Sequence, residues 1–134
     1  MFEITQAMKL LSDKSRLRIL MLLKDRELCV CQIMGVLGMS QPLVSRNLSL
    51  LLRAGFLGDR REGKMIFYTI RKSPEKLQRT LLGIVIDSLK EDPIVSEDLK
   101  SLGECREYQK ITGKCGMETY LAYMEKKLRK SKKH

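Results

Sequence analysis

Residues 27–70 read ELCVCQIMGVLGMSQPLVSRNLSLLLRAGFLGDRREGKMIFYTI. The apolar run from about Val30 to Leu37 predicts a short helix that stops at Gly38, a residue that tolerates the left-handed conformation closing a helix. Ser40 is suited to cap the next helix, and Pro42 falls in its first turn, where a missing N–H costs little. Leu43, Val44, Leu48, Leu51 and Leu52 then recur at helical spacing and predict a buried stripe. The face left over carries Gln41, Ser45, Arg46, Ser49 and Arg53. Two helices joined by a tight glycine-containing turn, the second with a polar, cationic outer face, make a helix-turn-helix. After Gly55, residues 56–60 and 64–70 read as two strands, with Arg61, Glu62 and Gly63 as the turn and Gly63 supplying the positive φ. Arg60, Arg61 and Lys64 would sit at the tip of this wing, where a phosphate backbone can be met. The fold class expected is therefore mainly α with a small β-hairpin, a winged helix-turn-helix.

Working outward, the 134-residue chain is long enough for one core plus an appended element. Residues 1–91 are expected to form the winged domain, and 92–134 a C-terminal helical extension with a basic tail. The net charge of +10 points to an anionic partner. Its distribution qualifies that. Lys126, Lys127, Arg129, Lys130, Lys132 and Lys133 crowd the last nine residues, and without them 20 bases face 16 acids. Affinity for double-stranded DNA must then come from where charges sit rather than how many there are. No apolar run approaches the roughly 18 residues of a membrane span. The first residues lack the basic-then-apolar pattern of a secretion signal, so the expected location is cytoplasmic, with four cysteines held as thiols.

Ile4, Met8 and Leu11, with Ala7 beside them, share one face of a short first helix. Asp13 can cap a second helix whose Leu17, Ile19, Leu20 and Met21 turn inward and whose Arg16 and Arg18 turn outward, solvated or salt-bridged. Ser73-Pro74-Glu75 reads as the start of a later helix running through Leu77, Leu81, Ile84, Val85 and Ile86 to Leu89. Its apolar surface exceeds one stripe, which suggests burial against a second subunit and a homodimer. Beyond Pro93, Ile94, Leu99 and Leu102 predict a short helix broken near Gly103. Met117, Tyr120, Leu121, Met124 and Leu128 predict a last amphipathic one.

Over roughly residues 5–89 the chain resembles the arsenic-repressor (ArsR/SmtB) family. The likeness is carried by Glu27-Leu28-Cys29-Val30-Cys31, by Ser40-Gln41-Pro42-Leu43-Val44-Ser45-Arg46-Asn47-Leu48, by Gly55-Phe56-Leu57 and by Arg61-Glu62-Gly63-Lys64. The resemblance implies a homodimeric repressor that leaves its operator when a metal or metalloid ion binds, with the first helix helping to form the dimer. It also implies that Gln41, Ser45, Arg46 and Asn47 lie on the recognition helix. Gln and Asn suit adenine edges and Arg a guanine or phosphate, while Ser40 and Ser45 suit phosphates. Asn47 stands where the family often has histidine.

The cysteines set the ligand class. The one histidine, His134, lies at the end of the chain, and residues 74–89 offer only Glu75 and Asp87, so the histidine-carboxylate zinc or nickel site of some family members is missing. Thiolates at Cys29, Cys31, Cys105 and Cys115 prefer soft ions. Arsenite or antimonite is favoured as inducer by the match around Cys-Val-Cys, with cadmium, lead or mercury as further soft candidates. The family's arsenic pattern has a third cysteine three residues after the second, where this chain has Met34. A three-thiolate site must then borrow Cys105 or Cys115, from the same subunit or its partner, or these two form a separate pair. On a regular helix Cys29 and Cys31 point about 200° apart, so joint chelation predicts a distorted first turn. A helix N-terminus predicts lowered thiol pKa values. Any one of these cysteines could instead be a small buried apolar residue. The alternative function is a regulator switched by thiol oxidation or persulfide, with a Cys105–Cys115 disulfide. An enzyme is not expected, since no histidine lies near Cys-Val-Cys and no cleft-forming α/β pattern exists.

Overall fold

The computed structural model describes residues 1–112, 122, 123 and 125–129. Elements follow in the order α1 (Phe2–Leu11), α2 (Lys14–Leu22), β1 (Leu28–Cys29), α3 (Val30–Leu37), α4 (Gln41–Arg53), β2 (Leu57–Glu62), β3 (Met65–Ile70), α5 (Lys76–Leu89) and α6 (Pro93–Thr112). This is a mainly helical winged helix-turn-helix whose sheet has three antiparallel strands in the order β1-β3-β2. β1 was not expected from sequence. It is two residues long and pairs Leu28 with Tyr68 and Cys29 with Phe67, so the wing is stitched to the start of α3.

Local chemistry sets the helix ends. The Asp13 carboxylate accepts from Arg16 N–H at 2.9 Å and starts α2. Gly38, at φ 67°, closes α3 in the left-handed region, and Ser40 Oγ accepts from Leu43 N–H to open α4. Gly55, at φ 86°, follows α4 and lets Phe56 N–H reach Leu51 C=O, which drops Phe56 and Leu57 into the core. β2 runs on past Arg60 to Glu62 and β3 starts at Met65 rather than Lys64, so Glu62 pairs with Met65 and Gly63 and Lys64 form the turn. Gly63 there takes φ 60°.

Two helix starts or stops differ from the sequence reading. α5 begins at Lys76 with Glu75 as its cap position, not at Ser73-Pro74. α6 does not break near Gly103 but runs from Pro93 to Thr112, because Asp92 caps it and Pro93 fits its first turn. Gly103 sits inside this helix with open space around its missing side chain. The predicted last stripe largely lies outside the described residues, as do Met117, Tyr120, Leu121 and Met124. Within them Tyr123 is buried and Leu128 exposed.

One hydrophobic cluster joins α1 to α5 with Leu102 and Cys105 of α6 and with Tyr123. α6 packs on α3 and α2, so the C-terminal segment covers the back of the helix-turn-helix. Of the expected α4 stripe, Val44, Leu48 and Leu51 are buried, Leu52 is half-buried and Leu43 is exposed. On α1, Ala7 and Leu11 face the core, while Ile4 and Met8 remain exposed; on α5 Ile84 is 58% exposed. Among the described residues no helix is long and apolar enough to cross a membrane.

Candidate nucleic-acid interface and thiol site

Helix α4 presents Gln41, Ser45, Arg46, Ser49 and Arg53 on one exposed face, with Ser40 exposed at its cap. Asn47 does not join them. It is 3% exposed, and its Oδ1 accepts from Arg16 Nη1 at 3.2 Å while Arg16 Nε donates to Leu10 C=O at 2.6 Å. Its expected role as a base contact gives way to a structural one, because the α4 helix turns residue 47 inward with Val44, Leu48 and Leu51. Arg16, expected to point outward, is the partner that satisfies this buried amide, tying the end of α1 to α4.

The wing also separates its cations. Arg61 and Lys64 are exposed beside the turn. Arg60 lies further back, where its guanidinium donates to Glu27 Oε2 at 2.8 Å and Glu62 Oε2 at 3.0 Å and sits 4.9 Å from the Phe67 ring centre. Two carboxylates already neutralise it, so the expectation that Arg60 stands at the tip and offers itself to phosphate is corrected.

The thiols gather at the opposite face of the helix-turn-helix. Cys29 is extended (φ −89°, ψ 169°), the last residue of β1 and the cap of α3. The two neighbouring cysteines therefore straddle a strand-to-helix junction, and the 200° separation expected for helical residues does not apply. Gln32 closes a capping box here: its Oε1 accepts from Cys29 N–H at 3.0 Å, and the Cys29 side chain faces Gln32 N–H. Gln32 Nε2 in turn donates to Gln109 Oε1 of α6 at 3.1 Å. One turn before Gln109, Cys105 is buried against this junction.

Cys29 interacts electrostatically with each of the other two thiols. Burial pushes the Cys31 thiol up and neighbouring Cys29 adds to the rise, while a backbone hydrogen bond works against them. Burial likewise raises Cys105, Cys29 raises it further, and Lys127 and Arg106 partly offset the shift. Cys31 and Cys105 thus stay protonated at neutral pH, contrary to the lowering expected at a helix N-terminus; desolvation outweighs the helix dipole. Among the described residues no group of three or more His, Cys, Asp or Glu side chains is preassembled to hold a metal ion. The donor set suits a thiophilic ion. Cys115 lies outside the described residues.

At this seam Arg18 is salt-bridged, one of the two states its reading allowed, to an Asp98 that sequence reasoning missed. Arg18 grips Asp98 of α6 with two hydrogen bonds, Nε–Oδ2 at 3.0 Å and Nη2–Oδ1 at 2.8 Å, and its Nη2 also approaches Leu37 C=O at 3.4 Å. Lys127 Nζ donates to Val36 C=O at 3.2 Å. Tyr123 donates to Ser101 C=O, and burial pushes its phenol up to about 12. A signal for Asp98 existed: Val95, Asp98, Leu102 and Cys105 recur at helical spacing, and an acid inside such a stripe demands a buried partner.

Residues 13–58 match the bacterial regulatory protein, arsR family. The transcriptional activator HlyU of Vibrio cholerae is 35% identical over 75 residues, covering 56% of this chain and 69% of that protein. The chain belongs to the arsR family. Another of the family's matches here, the arsenical resistance operon repressor of Escherichia coli K12, is 46% identical over 66 residues, or 48% of this chain and 56% of the repressor. The chain therefore spans little more than half of that relative's length. Among solved structures, the homodimeric winged helix-turn-helix DNA-binding domain of a possible ArsR-family regulator from Mycobacterium bovis aligns with TM-score 0.55 at 30% identity. The alignment covers 68% of this chain and 82% of that one. These matches agree with the fold class and family expected from the sequence.

Proposed function

We propose that the chain is a homodimeric transcriptional repressor that binds double-stranded operator DNA and is released when a thiophilic ion, arsenite or antimonite, joins Cys29, Cys31 and Cys105 of one subunit. The observation that carries this reading is the burial of Cys105 beside Cys29 at the strand-to-helix junction that opens the helix-turn-helix. Three thiolates neutralise a trivalent metalloid, and sulfur is its preferred donor. Ser40, Gln41, Ser45 and Arg46 would read DNA, with Arg61 and Lys64 as wing contacts. The exposed Ile4, Met8 and Ile84 support a second copy against α1 and α5. The name of the Escherichia coli relative supports arsenic over cadmium, lead or mercury. A regulator of this kind performs no chemistry on its ligand, so no catalytic residue is assigned, and its place of work is the cytoplasm.

Closure of Cys29 onto an ion competes with its capping of α3, so ion and DNA favour different arrangements of one helix; this is the differential interaction that coupling requires. The test is an operator mobility shift with arsenite, antimonite, cadmium, lead and mercury, repeated on Cys29→Ser, Cys31→Ser, Cys105→Ser and Cys115→Ser. The expected outcome is release of the wild type by arsenite and loss of response in the first three variants only. Release that persists in Cys105→Ser but fails in Cys115→Ser would move the third ligand outside the described residues.

A second reading, oxidative control, is favoured by the same neighbourhood of Cys29 and Cys105. A peroxide would take two electrons and two protons from the two thiols, forming one S–S bond and two waters. Release by peroxide that dithiothreitol reverses, with no response to any ion, would select it.

A further inference from the structure

Helix α3 lies beside α6 and is fastened to it at both ends. At its start, Gln32 meets Gln109, and Cys29 lies within electrostatic reach of both Cys31 and Cys105. At its end, Leu37 C=O receives Arg18, whose guanidinium is locked in a two-point fork on Asp98. Asp98 and Cys105 are seven residues apart on one buried face of α6, roughly 10 Å along its axis at 1.5 Å per residue. Cys31 and Leu37 span a similar length of α3. The four points form a closed frame, and its lower corner borders Gly38 and Ser40, the turn that sets where α4 begins.

We propose that the Arg18–Asp98 fork is a positioning pair: it holds the end of α3 fixed so that contraction at the thiols tilts α3 about Leu37 and re-aims the recognition helix. The pair touches neither ion nor DNA. Asp98 is 6% exposed, so its carboxylate has no competing water shell, and the fork geometry of arginine resists rotation about the contact. Lys127 on Val36 C=O adds a second cation at the same helix end, where the backbone dipole is negative. Without the fork, closure at Cys105 would slide α3 as a unit and the turn would relax, leaving α4 in place. This inference rests on the thiol-site reading for its physiological input, but the frame it describes exists without an ion.

The experiment uses the full chain as wild type, Asp98→Asn and Arg18→Lys. Asn keeps the size and one acceptor; Lys keeps the charge but not the fork, and serves if Asp98→Asn melts too low to assay. DNA affinity is read by fluorescence anisotropy on a duplex selected by the wild-type protein, and arsenite binding by the near-ultraviolet absorbance of sulfur–arsenic bonds. Both variants should bind arsenite and DNA separately within about threefold of wild type, yet lose most of a release effect expected at roughly 5- to 150-fold. Undiminished release, or loss of arsenite or DNA binding itself, would overturn the proposal. An ion-free readout separates this from failure of the thiol-site reading: DNA should change the alkylation rate of Cys31 in the wild type and leave it unchanged in the variants. An equal change in all three, or none in the wild type, removes the fork from the coupling even if no ion acts on the protein.

Discussion

The two ends of α3 are built from different chemistry. Its start is capped by a cysteine and a glutamine, beside sulfurs that burial keeps protonated near neutrality. Its end is closed by a left-handed glycine and by two cationic side chains, Arg18 and Lys127, that donate to Leu37 and Val36 C=O. One end can respond to its surroundings and the other can only hold. Coupling through a helix fastened in this way would be reciprocal, an ion at the sulfurs weakening DNA binding and bound DNA altering the sulfurs in turn.

That contrast can be broken by experiment. The largest expected effect is on the holding end: Asp98→Ala should cost roughly 2–4 kcal/mol of stability by urea unfolding, because it strands a half-buried guanidinium. Cys29→Ser, which substitutes a good helix cap for a sulfur one, should cost no more than about 1 kcal/mol while abolishing the ion response. Equal losses of stability at both sites would erase the distinction. Downstream, Arg46→Ala should weaken operator binding by about 1–3 kcal/mol, whereas Arg60→Ala, already paired with Glu27 and Glu62, should leave it nearly unchanged.

The responding end should also show itself in pH. Arsenite arrives as neutral As(OH)3 and each thiol proton leaves with a hydroxide as water, so its apparent affinity should stay flat between pH 6 and 8, whereas that of a bare cation such as cadmium should rise by up to about tenfold per pH unit for each proton lost. Stability runs the other way. Thiols and a phenol raised in the folded state contribute stability that is whole below their unfolded pKa values and is lost as pH rises through the folded ones. Cys31 and Cys105 should therefore lower the ion-free melting temperature above about pH 8.5, and Tyr123 should do so on the approach to about 12. A melting temperature flat from pH 7 to 10.5, and equal to that of Cys105→Ser across the range, would contradict this. Gly103→Ala should stabilise the ion-free protein by about 0.5–1 kcal/mol, since the added methyl meets nothing within 4 Å.

The winged helix-turn-helix was legible because local rules coincide there: Gly38, Ser40 and Pro42 each fix a backbone state, and the α4 stripe follows at helical spacing. Asn47 is buried because its position falls between Val44 and Leu48 on the inward face, which its residue type alone does not reveal. Arg60 was misread because Glu27, its partner, is 33 residues away and only β1 brings it close. β1 itself has too few residues to leave a pattern. The α6 helix was cut short at Gly103, a residue that lowers helix propensity but is overruled by packing on α3. What sequence could not supply was the pairing of Cys105 with Cys29, since spacing of 76 residues says nothing about which helix faces lie together.

The two-residue strand has one more implication. Cys29 stands in register opposite Phe67, and the Phe67 ring lies under Arg60. Any pull on that sulfur is shared between the hairpin and the reading helix, because both are moored to the same backbone atom group. Operator release would then be concerted, with no stage at which the helix lets go while the hairpin still clings.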